Sequence, residues 1–293
     1  MNKLDKIILG TVQFGLDYGI NNSVGKPSRQ KIAEILDLAY DKGIKILDTA
    51  EAYGNSHQVI ADYHKNSKNR FKIISKYKKD VLSLPERLID RVEKHLSDFK
   101  VDKLEGYLFH DFNEFLELVK RDEAEIKLIK EERLVEKIGV SVYSNEQIEE
   151  VLTYPFIKLI QLPFNILDND KKRKAILKKA KNKGVEIHTR SVFLQGLFFK
   201  ELDLLPEYFM SIKPFLIDMK NICIQESLSV SDLALNYPLS KSYIDNVLIG
   251  VDSIDQLLSN ITSLQKNPDK CFEVIDDFSV VDNSILNPSN WVK

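Results

Sequence analysis

The feature that most constrains this chain is a pattern met eight times: a short β-rich run followed by a longer run whose apolar residues have helical spacing. Parallel βαβ units produce that alternation. Strand candidates fall at Lys6–Leu9, Ile44–Asp48, Phe71–Lys76, Leu104–His110, Val135–Ser141, Ile157–Gln161, Val185–Thr189 and Asn246–Ile249. Eight such units predict an α/β fold, a (β/α)8 TIM barrel with a C-terminal extension, and 293 residues suit the roughly 250 typical of such a barrel plus a tail. Residues 1–266 are expected to form the barrel and 267–293 a tail packed on it.

Helix signals agree with the count. Ile32, Ile35, Leu36 and Ala39 share one face, as do Leu88, Val92, Leu96 and Phe99. Ser83–Glu86, Ser144–Gln147 and Ser253–Gln256 read as capping boxes before apolar-periodic segments. Gly43 and Gly184 follow helical runs and stand directly before Ile44 and Val185, as helix-terminating glycines should. A doubly wound open sheet uses the same alternation. It is disfavoured because Gly10, Gly15 and Gly19 do not supply G-x-G-x-x-G and no P-loop is present.

Composition narrows the partners. With 42 basic and 44 acidic residues, the net charge of -2 offers nothing for nucleic acid or an anionic membrane to grip, so the expected ligand is small. Cys223 and Cys271 form no C-x-x-C or Cys/His cluster, which argues against a disulfide framework or a metal site. The apolar run Ile7–Leu9 is too brief for a signal segment, and no stretch approaches 18 apolar residues. A cytoplasmic protein, monomeric or a small homo-oligomer, is the expectation.

Active sites of such barrels lie at the C-terminal ends of the strands. Asp48 ends the second strand candidate, Lys76 the third and His110 the fourth, and Tyr53 follows Asp48 in the same loop. Singly, each has an ordinary reading: a turn cap, a solvated lysine, a buried histidine, a packed aromatic. Together they suit protonation of a carbonyl oxygen. A tyrosine with pKa near 10 is a poor acid until a cation stabilises its anion, a charge Lys76 can supply and Asp48 can hold in place. His110 can hydrogen-bond the substrate oxygen.

At these residues the chain resembles the aldo-keto reductases. Asp48-Thr-Ala-Glu-Ala-Tyr53-Gly-Asn-Ser56 is similar to the family's D-x-A-x-x-Y-G-x-S signature, and Ile74-Ser-Lys76 and Leu108-Phe-His110 match its strand-end lysine and histidine. The resemblance runs from Leu9-Gly10-Thr11 to about Asn260. It implies a catalytic tetrad of Asp48, Tyr53, Lys76 and His110, and a nicotinamide cofactor bound without a Rossmann unit. Cofactor contacts implied in the same way are Gly10, Thr11 and Asp48, Ser141 of Gly139-Val-Ser141, Gln161 of Gln161-Leu-Pro-Phe-Asn165, and Arg190. They continue with Ser191, Phe193, Gln195 and Gly196 of the loop expected to wrap the pyrophosphate, then Gly250, Ser253, Gln256 and Asn260 at the adenine end.

Three departures stand out. Val142 replaces the family's usual asparagine after the strand-five serine, and Arg190 replaces the aromatic that stacks on the nicotinamide, its guanidinium suited either to stacking or to a phosphate. Gly250, Val251 and Asp252 stand where NADPH-selective members carry basic residues. The family prior implies NADP(H), with NAD(H) a real alternative.

The resulting expectation is NAD(P)H-dependent reduction of an aldehyde, ketone or keto-sugar carbonyl by direct hydride transfer, with Tyr53 as general acid. Two rivals keep the barrel: a cofactor-sensing regulatory subunit, and a lyase using Lys76 as a Schiff-base nucleophile. Substrate choice is expected to reside in Gln13–Pro27, Phe198–Pro214 and the tail with Phe272, Phe278 and Trp291.

Overall fold

The computed structural model describes residues 2–22, 25–81, 83–280 and 282–291; positions 23 and 24 of the Gln13–Pro27 segment, and 281, 292 and 293 of the tail, lie outside the described residues. The strands are β1 Ile7–Gly10, β2 Ile46–Asp48, β3 Lys72–Tyr77, β4 Gly106–Phe109, β5 Ile138–Ser141, β6 Ile157–Pro163, β7 Glu186–Arg190 and β8 Asn246–Gly250. All pair in parallel with their sequence neighbours, and β8 returns to β1 through Ile7↔Val247 to Gly10↔Gly250. The sheet is thus the closed eight-stranded barrel that the repeat predicts.

Helices occupy the intervals: α1 Val12–Gly15, α2 Arg29–Lys42, α3 Ser56–Asn66, α4 Leu88–Phe99, α5 Phe112–Glu131, α6 Asn145–Val151, α7 Asp170–Asn182, α8 Lys213–Gln225, α9 Val230–Leu239 and α10 Ile254–Ser263. Short helices α11 Phe272–Asp276 and α12 Asn283–Leu286 belong to the tail. Ile32, Ile35, Leu36 and Ala39 of α2 are buried against the strands, and Gly43 ends that helix in the left-handed region at φ 102°. On α4, Leu88, Val92 and Phe99 are buried but Leu96 is only partly so, since His95 and Arg91 share the inner face.

The Ser144 capping box is present, its hydroxyl accepting from the Gln147 amide while the Gln147 side chain accepts from Ser144. At Ser253 the hydroxyl caps Gln256, whose own side chain takes the amide of Asp252, one residue earlier. The box expected at Ser83 does not form. Helix α4 begins at Leu88, and the carboxylate of Glu125 on α5 accepts that amide at 2.6 Å, so a tertiary partner replaces the local cap.

The tail lies across α7 and α9. Asn169 donates to the carbonyls of Ile275 and Phe278 at 2.7 and 3.1 Å, while Tyr237 and Lys241 both bond Asp276. Phe272 stands edge-on to Tyr237, and Trp291 to Phe209, with ring centres 5.4 and 4.8 Å apart. Among the described residues no helix is long and apolar enough to cross a membrane.

Candidate active site

Strand alternation builds the site. Ile8, Ile46, Ile74, Leu108, Leu159 and Leu248 plug the barrel as one apolar cluster. Side chains two residues further along a strand share that face, so Gly10, Asp48, Lys76, His110, Gln161 and Gly250 form the next layer at the C-terminal mouth. Gly139 leaves room for the plug, because a Cβ there would stand 2.6 Å from the Leu159 carbonyl oxygen; two residues on is Ser141. On β7, Arg190 follows His188, the register partner of Gln161, by two residues and so shares its face toward the mouth.

The centre of the layer is charged and dry. The Lys76 ammonium pairs with Asp48 Oδ1, both side chains almost fully buried, and donates to the Thr49 carbonyl at 3.1 Å. Gln161 Nε2 donates to the other Asp48 oxygen at 2.8 Å. Burial lowers the Lys76 pKa, and Asp48 opposes that shift. An ammonium so bonded has no lone pair to offer a carbonyl carbon, which weighs against the lyase reading.

Tyr53 and His110 lie beside this pair. Their rings meet edge to face with centres 5.6 Å apart, and Lys76 Nζ stands 5.2 Å from the Tyr53 ring centre. Burial raises the phenol pKa, and the Asp48 carboxylate raises it further; the cation opposing the rise is Arg190. Lys76, the cation expected beside the phenol, is there and paired to Asp48 as expected, and that contact offsets part of its charge at Tyr53. Burial, then Lys76 and Arg190, pushes the His110 pKa from 6.5 down to about 3, so its imidazole is neutral and can donate a hydrogen bond.

The loop carrying Tyr53 is held from both sides. Glu51 is buried behind it, accepting from His95 at 2.8 Å, Tyr107 at 2.5 Å, Arg91 at 2.8 Å and the Lys78 amide at 2.8 Å. In front, the Gly15 backbone is packed so closely that a Cβ would stand 1.8 Å from the Tyr53 carbonyl oxygen. Ser56 ties the loop's end to Thr11, whose hydroxyl donates to the Asp48 carbonyl at 3.0 Å. Thr11 therefore supports Asp48, with its side chain wholly buried.

The remaining sequence-derived positions fall on the β5 to β8 side. Ser141 and Gln161 are register partners, and Ser141 Oγ and Gln161 Oε1 are buried with no hydrogen-bond partner among the described residues. A carboxamide offers what that pair lacks, N–H donors and a carbonyl acceptor, so the two residues fit a nicotinamide amide. Ser191, Leu194, Gln195 and Gly196 all have positive φ, between 47° and 92°, strain of the kind kept at ligand-holding turns. This loop is moored to the one after β1: Gln195 donates to the Tyr18 hydroxyl at 2.9 Å, and Asn21 to the Gly196 carbonyl at 2.5 Å. Phe193 is partly buried and packs at a tilt against Phe199, with ring centres 5.4 Å apart.

Across β8, a Cβ at Gly250 would collide with the Gln13 side chain, so Gln13 lies flat on that strand end. Gln13 Oε1 and Asp252 Oδ1 are also buried, and no hydrogen-bond partner reaches either among the described residues. Ser253 and Gln256 sit in the first turn of α10, and Asn260 is buried further along it. Sequence reasoning passed over Glu51, Gln13, Tyr18 and Tyr143. Glu51 alone carried a signal, an acid inside an otherwise apolar stretch of the Asp48–Tyr53 motif.

Comparison with known proteins agrees with this geometry. Residues 6–279 match the model of the Aldo/keto reductase family. The NADH-specific methylglyoxal reductase of Escherichia coli is 22% identical over 300 residues, spanning 90% of this chain and 91% of that one. Among solved structures, an aldo-keto reductase of Bacillus halodurans in its holo form is 19% identical with a TM-score of 0.74, covering 94% of each chain. A glycerol dehydrogenase of Gluconobacter oxydans is 18% identical with a TM-score of 0.71, covering 93% of this chain and 90% of that one. The chain belongs to the aldo/keto reductase family and is thereby an NAD(P)H-dependent oxidoreductase of small carbonyl compounds.

Proposed function

We propose that this enzyme reduces an aldehyde, ketone or keto-sugar carbonyl to an alcohol, with Tyr53 as the proton donor. The observation that carries the reading is the meeting of the Tyr53 phenol and neutral His110 at the mouth, beside the buried Lys76–Asp48 pair. The nicotinamide supplies the hydride. His110 donates a hydrogen bond to the substrate oxygen and turns the carbonyl toward the hydride. Tyr53, kept protonated by burial, gives its proton as negative charge develops on that oxygen. Lys76, paired to Asp48 and bonded to the Thr49 carbonyl, holds that carboxylate and the turn before Tyr53 in place. Ser141 and Gln161 would hold the nicotinamide amide through their unpartnered oxygens.

At the ribose end, the reading moves from the family's NADP(H) to NAD(H). Asp252 has a buried carboxylate oxygen without a partner among the described residues, and burial raises its pKa. A ribose hydroxyl can donate to such an oxygen, whereas a 2′-phosphate would be repelled. Glycine and valine at 250 and 251 provide no cation against it. The Escherichia coli relative, named as NADH-specific and acting on methylglyoxal, supports the preference and suggests a first substrate. Loss of reduced-nicotinamide absorbance with methylglyoxal and a panel of aldehydes tests the activity. Catalytic efficiency should favour NADH by about tenfold or more, about 1.4 kcal/mol at the transition state. Tight cofactor binding with no turnover across the panel would favour the regulatory-subunit reading instead.

A further inference from the structure

Arg190 is a guanidinium without an anion. The two buried arginines are matched, Arg91 with Glu51 and Arg173 with Asp168, whereas Arg190 is half-buried at the mouth. Among the described residues Arg190 has no carboxylate partner; its neighbours are phenols. One face lies over the Tyr143 ring with the guanidinium carbon 4.4 Å from the centre, and the bond to Ser191 Oγ is long, at 3.5 Å. Tyr18 and Tyr53 complete the surroundings. A guanidinium partly withdrawn from water, as this one is, favours a partner of opposite charge. Among the described residues none brings an opposite charge into contact with it.

Its position says what would. Arg190 lies two residues beyond His188, the register partner of Gln161, on the strand face that leads to the mouth, and its charge acts on both Tyr53 and His110. Its contacts are the Tyr143 side chain and the long bond to Ser191 Oγ, both neutral groups that an anionic oxygen pair, which guanidinium binds in two-pronged fashion, would displace. We propose that Arg190 receives an anionic oxygen group, carboxylate or phosphate, carried by the substrate a few bonds from the carbonyl that Tyr53 protonates. The inference rests on the carbonyl-reductase reading and names its substrate class. Tyr143 also lines a cavity of about 460 Å³, together with Asn145, Pro163, Arg173 and, from the tail, Leu286 and Asn290.

Two matched pairs test it with the NADH-loaded enzyme: succinic semialdehyde against butanal, and glyceraldehyde 3-phosphate against glyceraldehyde. The charged member of at least one pair should show kcat/KM about tenfold or more above its neutral partner, mostly through KM, and the pair that does so tells carboxylate from phosphate. Arg190→Met should bring that ratio close to one, and Arg190→Lys should restore part of it. Succinate, which cannot react, should bind the wild-type enzyme in calorimetric titration about tenfold more tightly than Arg190→Met if the group is a carboxylate; inorganic phosphate should do so if it is a phosphate. Equal efficiencies within both pairs would overturn the inference while leaving the reductase reading intact. So would an Arg190→Met variant that keeps the ratio but binds NADH more weakly, since that places the charge on the cofactor. Failure to reduce either member of either pair, with both anions still bound through Arg190, would instead sink the reductase reading alone.

Discussion

At the scale of single residues, the phenol proposed as proton donor stands apart from the charge pair beside it. Tyr53→Phe removes only a hydroxyl that the fold does not use. The variant should therefore melt like the wild type, bind NADH unchanged and lose about two or more orders of magnitude in kcat. Normal turnover in it would end the assignment of Tyr53. Lys76→Met acts differently, because it strands the Asp48 carboxylate in a dry layer with Gln161 as its remaining side-chain donor. Breaking a buried pair this way costs about 3–5 kcal/mol, so this variant should lose stability as well as activity, seen as a clear fall in Tm. His110 adds a pH dependence. The folded chain holds it neutral down to about pH 3, whereas an unfolded chain protonates it near 6.5, so acid favours the unfolded state. Its contribution is complete above about pH 6.5 and is lost as pH falls from there toward 3. Tm should decline over that window, less steeply in His110→Asn; identical slopes would argue that the imidazole is protonated in the fold. Asp48, Tyr53, Lys76 and His110 could be picked out in the sequence because each lies at the end of a strand pattern or in the loop directly after it. The roles of Arg190 and Glu51 were not, since what surrounds them comes from elements far away in sequence.

At the scale of elements, the eight strands and most helices could be read from periodicity, because each buries one face against the next layer. The misreadings have tertiary causes. Glu125 caps α4 in place of Ser83, and Glu51 draws His95 and Arg91 onto a face that periodicity reserves for apolar side chains. Short α1 is the least legible element and a critical one, since it passes against the loop that carries Tyr53. A single methyl at Gly15 would have to displace the Tyr53 carbonyl, 1.8 Å from the ideal Cβ, and the Ser56 amide, 2.7 Å away. Both are backbone atoms and cannot swing aside. Gly15→Ala should thus lower kcat by about tenfold or more through a misplaced phenol, as small shifts in a catalytic group do, while cofactor affinity is retained. Wild-type kcat in Gly15→Ala would mean that the loop yields freely.

At the scale of the whole molecule, the question is whether residues 267–293 are an appendage or part of the folding unit. Sequence could mark them only as lying beyond the eighth unit. Phe272, Ile275, Phe278, Ile285, Leu286 and Trp291 are all buried, on a surface made by α7, α9 and the turns before α8. Burying one such side chain contributes roughly 1.5–3 kcal/mol, so together they contribute on the order of 10 kcal/mol, as much as the net stability of a typical domain. Polar groups would suffer as well. Asn169, itself buried, would lose two carbonyl acceptors, and Tyr237 and Lys241 would lose Asp276. Truncation after Lys266 should accordingly leave no cooperatively folded barrel, seen as loss of the thermal transition in circular dichroism. Trp291→Ala removes a single anchor, the ring that stands against Phe209, and should cost about 3 kcal/mol while leaving the transition cooperative. A truncated chain that still melts near the wild-type temperature would show that the barrel folds alone and that the tail serves only to wall the cavity that Tyr143 lines.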